Sequence, residues 1–322
     1  MPGASFDGWH GGAREAIWAW KFARNPHGPA RIWVADDGGR IAGCYILNPV
    51  MLRVGEAAVH GAQAVDAAVS PDYRGRGVFT DLARAALTDA ANDGIALVFA
   101  FPSAGAFGGQ VRVGFRPQFA IPKAYRPLLW PPRRWTFDGL TRGEVSAFDA
   151  RFDIFSKHAR AGEIALQRDA DYLQWRYYDH PAKTYDTITC ERHGQICGYC
   201  VLMIGPRRKK LSQGYVVDFQ VLPDSGPAAR FLACHALERL RSLGAQVAMS
   251  WERPSGPEQE ALASYGFSSR YASIRRRLMR PSYIDQFIAY DHQREMPQEP
   301  QPVRSLDEPP RWSLVPGDLD DI

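Results

Sequence analysis

The sequence predicts an α/β protein made of two tandem domains of one fold, each a sheet flanked by helices. Three observations lead there. The chain has 322 residues, more than a single core usually fills. It repeats itself internally at an offset too long for a solenoid. In both copies the hydrophobic spacing passes from strand-like to helix-like in the same order.

The repeat starts without a gap, at an offset of 155 residues. Trp20-Lys21-Phe22 and Pro26 recur as Trp175-Arg176-Tyr177 and Pro181. Gly39-Arg40-Ile41-Ala42-Gly43 recurs as Gly194-Gln195-Ile196-Cys197-Gly198. With small slips, Val65–Asp72 matches Val217–Asp224, Gly94 matches Gly244, and Gly114-Phe115 matches Gly266-Phe267. Units of roughly 130 residues suit tandem domains.

Each unit reads alike. A helix ends at the Trp-basic-aromatic element and is stopped by Pro26 or Pro181. Two strands follow, joined by Asp36-Asp37-Gly38-Gly39 or Arg192-His193-Gly194. A third strand carries Val65 to Val69, or Val216 to Val221. Next comes an amphipathic helix with Phe79, Leu82, Ala83, Ala86, Leu87 and Ala90 on one side, closed by Gly94. A strand from Ile95 to Phe101 follows. In the second unit the helix carries Leu232, Ala233, Leu237 and Leu240 before Gly244. These elements place an N-terminal domain at 1–130, a linker at 131–150, a C-terminal domain at 151–280 and a loosely ordered acidic, Pro-rich tail at 281–322. Pro127, Pro131 and Pro132 mark a linker or extended strap, and the stretch from Trp312 to Asp321 is less bland and suited to docking back.

Apolar residues make up 45% and charged residues 23%, which is ordinary for a globular protein. No apolar run is long enough to span a bilayer and no charged leader precedes an apolar stretch, so a membrane partner is not expected. Five cysteines at irregular spacing argue against a disulfide framework and point to a reducing cytoplasm. The net charge is +4, yet residues 281–322 hold nine acidic and three basic residues, so the body is more basic than the total. That balance suits anionic small molecules. No basic stripe with interleaved aromatics appears, so nucleic acid is not expected.

One stretch carries the chemistry: Val69-Ser70-Pro71-Asp72-Tyr73-Arg74-Gly75-Arg76-Gly77-Val78-Phe79-Thr80. A strand ends, a turn follows and a long helix begins. The first amides of a helix have no internal acceptors, and their dipoles make its start positive. Gly75 and Gly77 admit a bulky anion close to the backbone, and Arg74 and Arg76 add paired donors for phosphate. Strand, turn and helix together make a diphosphate site, whereas a bare Arg-Gly string would be only a solvated cap.

This stretch resembles the acetyl-CoA motif of the GNAT acetyltransferase superfamily, with Arg74, Gly75, Arg76 and Gly77 in its key positions. Phe79 departs from the motif's last small residue and looks like a branch reading Tyr-Arg-Gly-Arg-Gly-aliphatic-Phe. The resemblance covers about residues 10–120 well and 165–275 weakly; Tyr172-Leu173-Gln174-Trp175-Arg176-Tyr177 looks similar to polysaccharide-biosynthesis acyltransferase domains. It implies two GNAT-like domains, each a splayed, mixed, mostly antiparallel sheet. Acetyl-CoA, as co-substrate, would lay its diphosphate on Arg74 to Thr80, with Val78, Phe79 and Thr80 starting the helix, and its pantetheine arm along Ala68 and Val69. A small-molecule amine, or a nucleotide-linked amino sugar, would attack the thioester while an amide near Val69 stabilises the oxyanion. In the second unit the turn reads Pro223-Asp224-Ser225-Gly226-Pro227, without arginine, so one acyl-CoA site is expected.

The catalytic groups are less legible. The family's tyrosine, four residues before Gly114-Phe115, is Gln110 here. Asp66 is a candidate base, but Asp218 holds the same place in the unit without the phosphate turn, which favours a structural carboxylate. Ser103, after Phe101-Pro102, either holds substrate or caps a turn. Cys197 and Cys200 would face opposite sides of a strand, and no histidine has ligand spacing with the cysteines, so no metal is expected. Recurrence of the Trp-rich element suggests helix-to-sheet packing. Arg207–Lys210 and Arg275–Arg277 are basic clusters, read as solvated faces ahead of acceptor contacts. The leading reading is an N-acyltransferase. A Fem-type aminoacyl transferase does not need the intact phosphate turn, and a non-catalytic CoA-binding scaffold is suggested only by the missing tyrosine and the worn second unit.

Overall fold

The computed structural model describes residues 14–159, 164–205, 212–252, 256–270, 286–292 and 312–318. The two basic clusters lie outside these residues. Helix α1 (Arg14–Trp18) runs into a π-helical turn, Ala19–Ala23. Strands β1 (Arg31–Asp37), β2 (Arg40–Val54) and β3 (Ala57–Val69) form an antiparallel meander. Then come α2 (Val78–Asn92), β4 (Leu97–Ala100), α3 (Ala104–Arg112) and β5 (Arg116–Ala120). The buried face of α2 is Leu82, Ala83, Ala86, Leu87 and Ala90, as the helical spacing predicts, and Gly94 follows its end in left-handed conformation (φ 75°).

The second half repeats the plan. After β6 (Lys123–Pro127), β7 (Thr141–Glu144), α4 (Ala150–His158) and β8 (Ile164–Leu166), α5 (Ala170–Leu173) enters a second π-helical turn, Gln174–Tyr178. Strands β9 (Asp186–Arg192), β10 (Gln195–Ile204) and β11 (Gln213–Val221) form the matching meander. Helix α6 (Gly226–Ser242), β12 (Val247–Trp251) and α7 (Pro257–Ser264) follow. Two late segments, β13 (Gln286–Asp291) and β14 (Trp312–Ser313), complete the described fold.

Among the described residues there are two mixed sheets. One has eight strands, in the order β14-β8-β2-β3-β4-β13-β5 with β1 also on β2; the other has six, in the order β6-β12-β11-β10-β9-β7. The last strands are exchanged between the units. β13, from the tail, lies between β4 and β5 in the first sheet, antiparallel to both. β6, from the end of the first unit, pairs with β12 and is bridged at Tyr125 to Ser268 in the second. Because Gly114-Phe115 matches Gly266-Phe267, Ser268 stands where β5 begins, so β6 and β13 take equivalent places in each other's sheets. Their side chains explain the choice: Phe287, Ile288 and Ala289 have no exposed surface, and Ala124 and Tyr125 are buried.

Two expectations are corrected here. The segment after Pro281 is not simply a loose tail, since 286–291 and 312–318 are built into the fold and largely buried. Residues 122–134 are not simply a linker, since 123–127 is a sheet strand; the chain beyond runs along α6, with Arg134 bonded to Glu238 at 3.0 Å and Phe137 packed on Phe231. The sheets also divide elsewhere than at 130 and 150: β6 and β7 belong to the second, β8 and β13 to the first.

The Trp-rich elements are a third correction. They pack on each other across the units, not only on a sheet. Trp20 Nε1 donates to the Trp175 carbonyl at 2.7 Å, Trp175 Nε1 donates to the Trp20 carbonyl at 2.9 Å, and the rings stack at 5.0 Å. Reciprocal contacts between equivalent residues define a local pseudo-twofold axis, as in an isologous dimer interface. This is why the motif recurs: each copy is the other's partner.

Candidate active site

The glycine pair of the repeat prepares the site. A Cβ on Gly43 would lie 2.8 Å from the Ala68 carbonyl and 3.3 Å from Val78, so glycine lets α2 settle on β2 and β3. Gly198 has the same reason in the second unit, with the Gln220 carbonyl at 2.8 Å.

Strands β3 and β4 pair in parallel only from Gly61 with Leu97 to Ala64 with Ala100. Beyond that β3 runs on to Val69 while the other chain turns away toward α3, which opens a gap. A bulge sits in β3 opposite Tyr45, where the register with β2 breaks between Cys44 and Ile46. There Asp66 adopts φ 45°. Past the bulge the ladder is regular: the Ser70 amide donates to the Ala42 carbonyl at 2.8 Å. Alternation then turns the peptide groups of Ala68 toward β2 and those of Val69 into the gap. Of the two residues expected to pair with a pantetheine arm, Val69 is oriented for it and Ala68 is not.

The turn after Val69 is built by Pro71 to Tyr73, an extended Arg74, and two left-handed glycines, Gly75 (φ 75°) and Gly77 (φ 86°). Gly77 caps α2 without any side-chain bond. Among the described residues no acceptor meets the amides of Gly75 through Thr80; the first helical bond is from Asp81 to the Gly77 carbonyl, at 3.0 Å. Converging free amides at a helix start are an anion cradle. Arg74 Nε donates to the Val69 carbonyl at 3.1 Å. The Arg76 guanidinium lies 5.6 Å from the Tyr73 ring, whose hydroxyl donates to Asp37 at 2.8 Å. Neither arginine has an ion-pair partner among the described residues, whereas Arg40 beside them is paired with Asp72. Phe79 turns inward onto Tyr45 and α3; a Cβ on Gly109 would lie 2.6 Å from its ring.

The candidate catalytic groups look different. Asp66 accepts from Lys21 Nζ at 2.5 Å, and Lys21 is buried. In the second unit Asp218 is fully buried and holds Arg168 Nε at 3.2 Å with the hydroxyls of Tyr177 and Tyr199. Both acids therefore serve local ionic networks. The recurring acid meets a different cation in each unit: Lys21 holds Asp66, whereas Arg168 holds Asp218 and Arg176, the repeat partner of Lys21, donates to the Gly317 carbonyl at 2.9 Å. Ser103 is exposed at the start of α3, where its carbonyl accepts from Ala106 and Phe107 and its hydroxyl makes no capping bond. Gln110 is buried and accepts from the Tyr45 hydroxyl at 2.9 Å. Burial pushes that tyrosine well above its ordinary range, with Gln110 opposing. All five cysteines are free thiols. Among the described residues no cluster of three potential metal ligands occurs.

The second unit is built differently at the decisive point. The Val221 amide, equivalent to that of Val69, is taken by Glu258 Oε1 at 3.1 Å. Glu258 sits on α7, and the position matching it in the first unit is Ala106. The second cleft thus lacks the open strand edge, and Pro227 removes an amide from the start of α6.

Comparison with known proteins agrees with this fold. Residues 8–116 match the family model of the acetyltransferase (GNAT) domain. A GCN5-related N-acetyltransferase from Anabaena variabilis superposes with a TM-score of 0.62 at 14% identity, over 88% of this chain and 66% of that one. A probable N-acyltransferase from Enterococcus faecalis gives 0.63 at 14%, over 89% and 67%. A tandem GNAT protein from the clavulanic acid biosynthesis pathway gives 0.55 at 14%, over 86% and 87%. The chain spans about two thirds of the length of the first two. No curated protein matches the sequence. Residues 8–116 thus match the GNAT domain family, and the whole chain has a tandem GNAT-like α/β architecture.

Proposed function

We propose that the protein is an acyl-CoA-dependent N-acyltransferase with its one acyl-CoA site on the first unit. Acetyl-CoA is the donor best suited to it, and the amine of a small molecule is the acceptor. The observation that carries this is the run of unpartnered amides from Gly75 to Thr80, flanked by two arginines without carboxylate partners, at the end of a strand that has parted from its neighbour. The diphosphate would rest on that turn and the arm would pair with Val69.

The acceptor would come from the other face of β3. Ala62 and Ala64 pack toward α2, so Gln63 and Val65 face the junction of the two units. A water-sized cavity of about 20 Å³ there, which would have to widen to admit an amine, is lined by Trp20, Asn48, Gln63, Trp175, Arg176 and Asp318. Asn48 Oδ1 is buried without a partner, an acceptor suited to an N–H donor. In the reaction the amine nitrogen bonds to the acyl carbon as the carbon–sulfur bond breaks. The amine proton passes to solvent, and the departing thiolate takes a proton from water. A backbone amide near Val69 would meet the developing oxyanion. Asp66, held by Lys21, shapes the bulge before Val69, and Ser103, at the start of α3, would contact the acceptor.

Calorimetric titration with acetyl-CoA tests the reading. The parent chain binds one equivalent, and Arg74→Ala/Arg76→Ala weakens it by about a hundredfold, from about 1.5 kcal/mol per lost charge-assisted contact. Thiol release across a panel of amines then identifies the acceptor. Unchanged affinity in the double variant would overturn the site, and silence across the panel would leave a binding protein.

A further inference from the structure

The second unit has lost the strand edge that would hold a pantetheine arm, yet it has kept a cleft at the front of its helix. The cleft is half open to solvent and has a volume of about 630 Å³. Its walls come from three places: Trp135 and Phe137 of the strap along α6, Arg192 at the end of β9, and Pro227 and Arg230 on the first turn of α6.

Two cations face it without counter-ions. Neither Arg192 nor Arg230 takes part in an ion pair among the described residues, although Arg134 and Arg239 nearby do. Arg230 folds back over the start of its own helix, with Nη1 3.7 Å from where a Cβ on Gly226 would lie. The start of α6 adds positive potential at the same end. Asp138 is the one acid among the lining residues, and it offers an acceptor for a hydroxyl. The aromatic wall is rigid on one side: the Arg133 guanidinium stacks 4.4 Å from the Trp135 ring, and Phe137 packs edge-on against Phe231 at 5.3 Å.

We propose that this cleft is a second ligand site, for a small phosphorylated nucleoside. The two guanidinium groups hold the phosphates, Asp138 accepts from a ribose hydroxyl, and the base lies on Trp135. The ligand is not a thioester substrate, because Glu258 fills the slot beside Val221 that an acyl arm would need. The site therefore binds and does not transfer.

The test uses ADP as probe on the full chain carrying Arg74→Ala/Arg76→Ala, which silences the first unit. Calorimetry should show one ADP per chain. Arg192→Ala and Arg230→Ala should each weaken it about tenfold, and Trp135→Ala should weaken ADP more than inorganic phosphate. Acetyl-CoA affinity of the chain with its first turn intact should stay the same in Arg192→Ala/Arg230→Ala, which also reports that this variant is folded. Absence of ADP binding in the silenced chain, or an ADP affinity indifferent to both arginines, would overturn the proposal.

Discussion

Phe287 offers a sharp test of the exchanged strands. It belongs to the tail by sequence and to the first sheet by structure. Its side chain has no exposed surface. It meets Trp312 at 4.7 Å, Phe101 and Phe119 at 5.3 Å each, and Phe99 at 5.8 Å between ring centroids. Replacing a buried Phe with Ala costs about 3–5 kcal/mol, because the transfer energy is lost and a cavity remains. Here the wall is four other rings held by β4, β5 and β14, which collapse poorly, so the upper half of that range, about 4 kcal/mol, applies. That is a large share of the roughly 5–15 kcal/mol that stabilises an ordinary domain. The assay is urea unfolding of Phe287→Ala, followed by far-UV dichroism and by acetyl-CoA binding. Both signals should shift together to lower urea. A loss under about 1 kcal/mol, or a transition that spares acetyl-CoA binding, would refute the placement of β13 in the first sheet. By the same reasoning residues 1–128 expressed alone lack the strand between β4 and β5 and should not fold.

Three further outcomes follow from the geometry. Burial, with Lys183 and Arg176 nearby, pushes His180 down from 6.5 to about 3. The folded ring stays neutral where the unfolded one takes up a proton, so its contribution is complete above pH 6.5 and is lost as pH falls toward 3, by up to ~1.4 kcal/mol per pH unit. His180 Nδ1 accepts from the Ala182 and Lys183 amides at 3.1 Å each, and its repeat partner Asn25 accepts from the His27 amide at 3.0 Å. His180→Asn should therefore keep the turn and flatten the acid limb of stability in urea midpoints taken at several pH values. Gly109→Ala drives a methyl into Phe79, which should cost about 1–3 kcal/mol in a thermal melt and weaken acetyl-CoA in calorimetry. Trp175→Phe removes the donor to the Trp20 carbonyl and should cost about 1–3 kcal/mol in urea unfolding, with the two units still folding together.

Much of the fold was legible because its causes are local. The strand-turn-strand pairs, the amphipathic faces of α2 and α6 and the glycine that ends each helix follow from spacing and backbone preference, and the structure places them as expected. The glycine turn before α2 was legible for the same reason, since Gly75 and Gly77 take left-handed conformations in the strand-to-helix turn. The orientation of Ala68 was not legible, because it depends on a bulge two residues earlier that only the β2 register reveals. Lys21 was read as packing because its acid lies 45 residues away.

The amino-acid order by itself determined that there are two copies of one unit, that one copy carries an Arg-Gly-Arg-Gly turn before its helix, and that the other lacks its arginines. Folding in three dimensions decided the rest: which sheet receives β6 and β13, that Trp20 and Trp175 bond to each other, and that Glu258 closes the second strand edge. The physical reason is the range of the forces. Backbone preference and helix amphipathicity act over a few residues and are written in sequence spacing. A vacancy in a sheet or a lone peptide group is filled by whichever complementary segment the whole chain brings to it, and no local pattern names that segment.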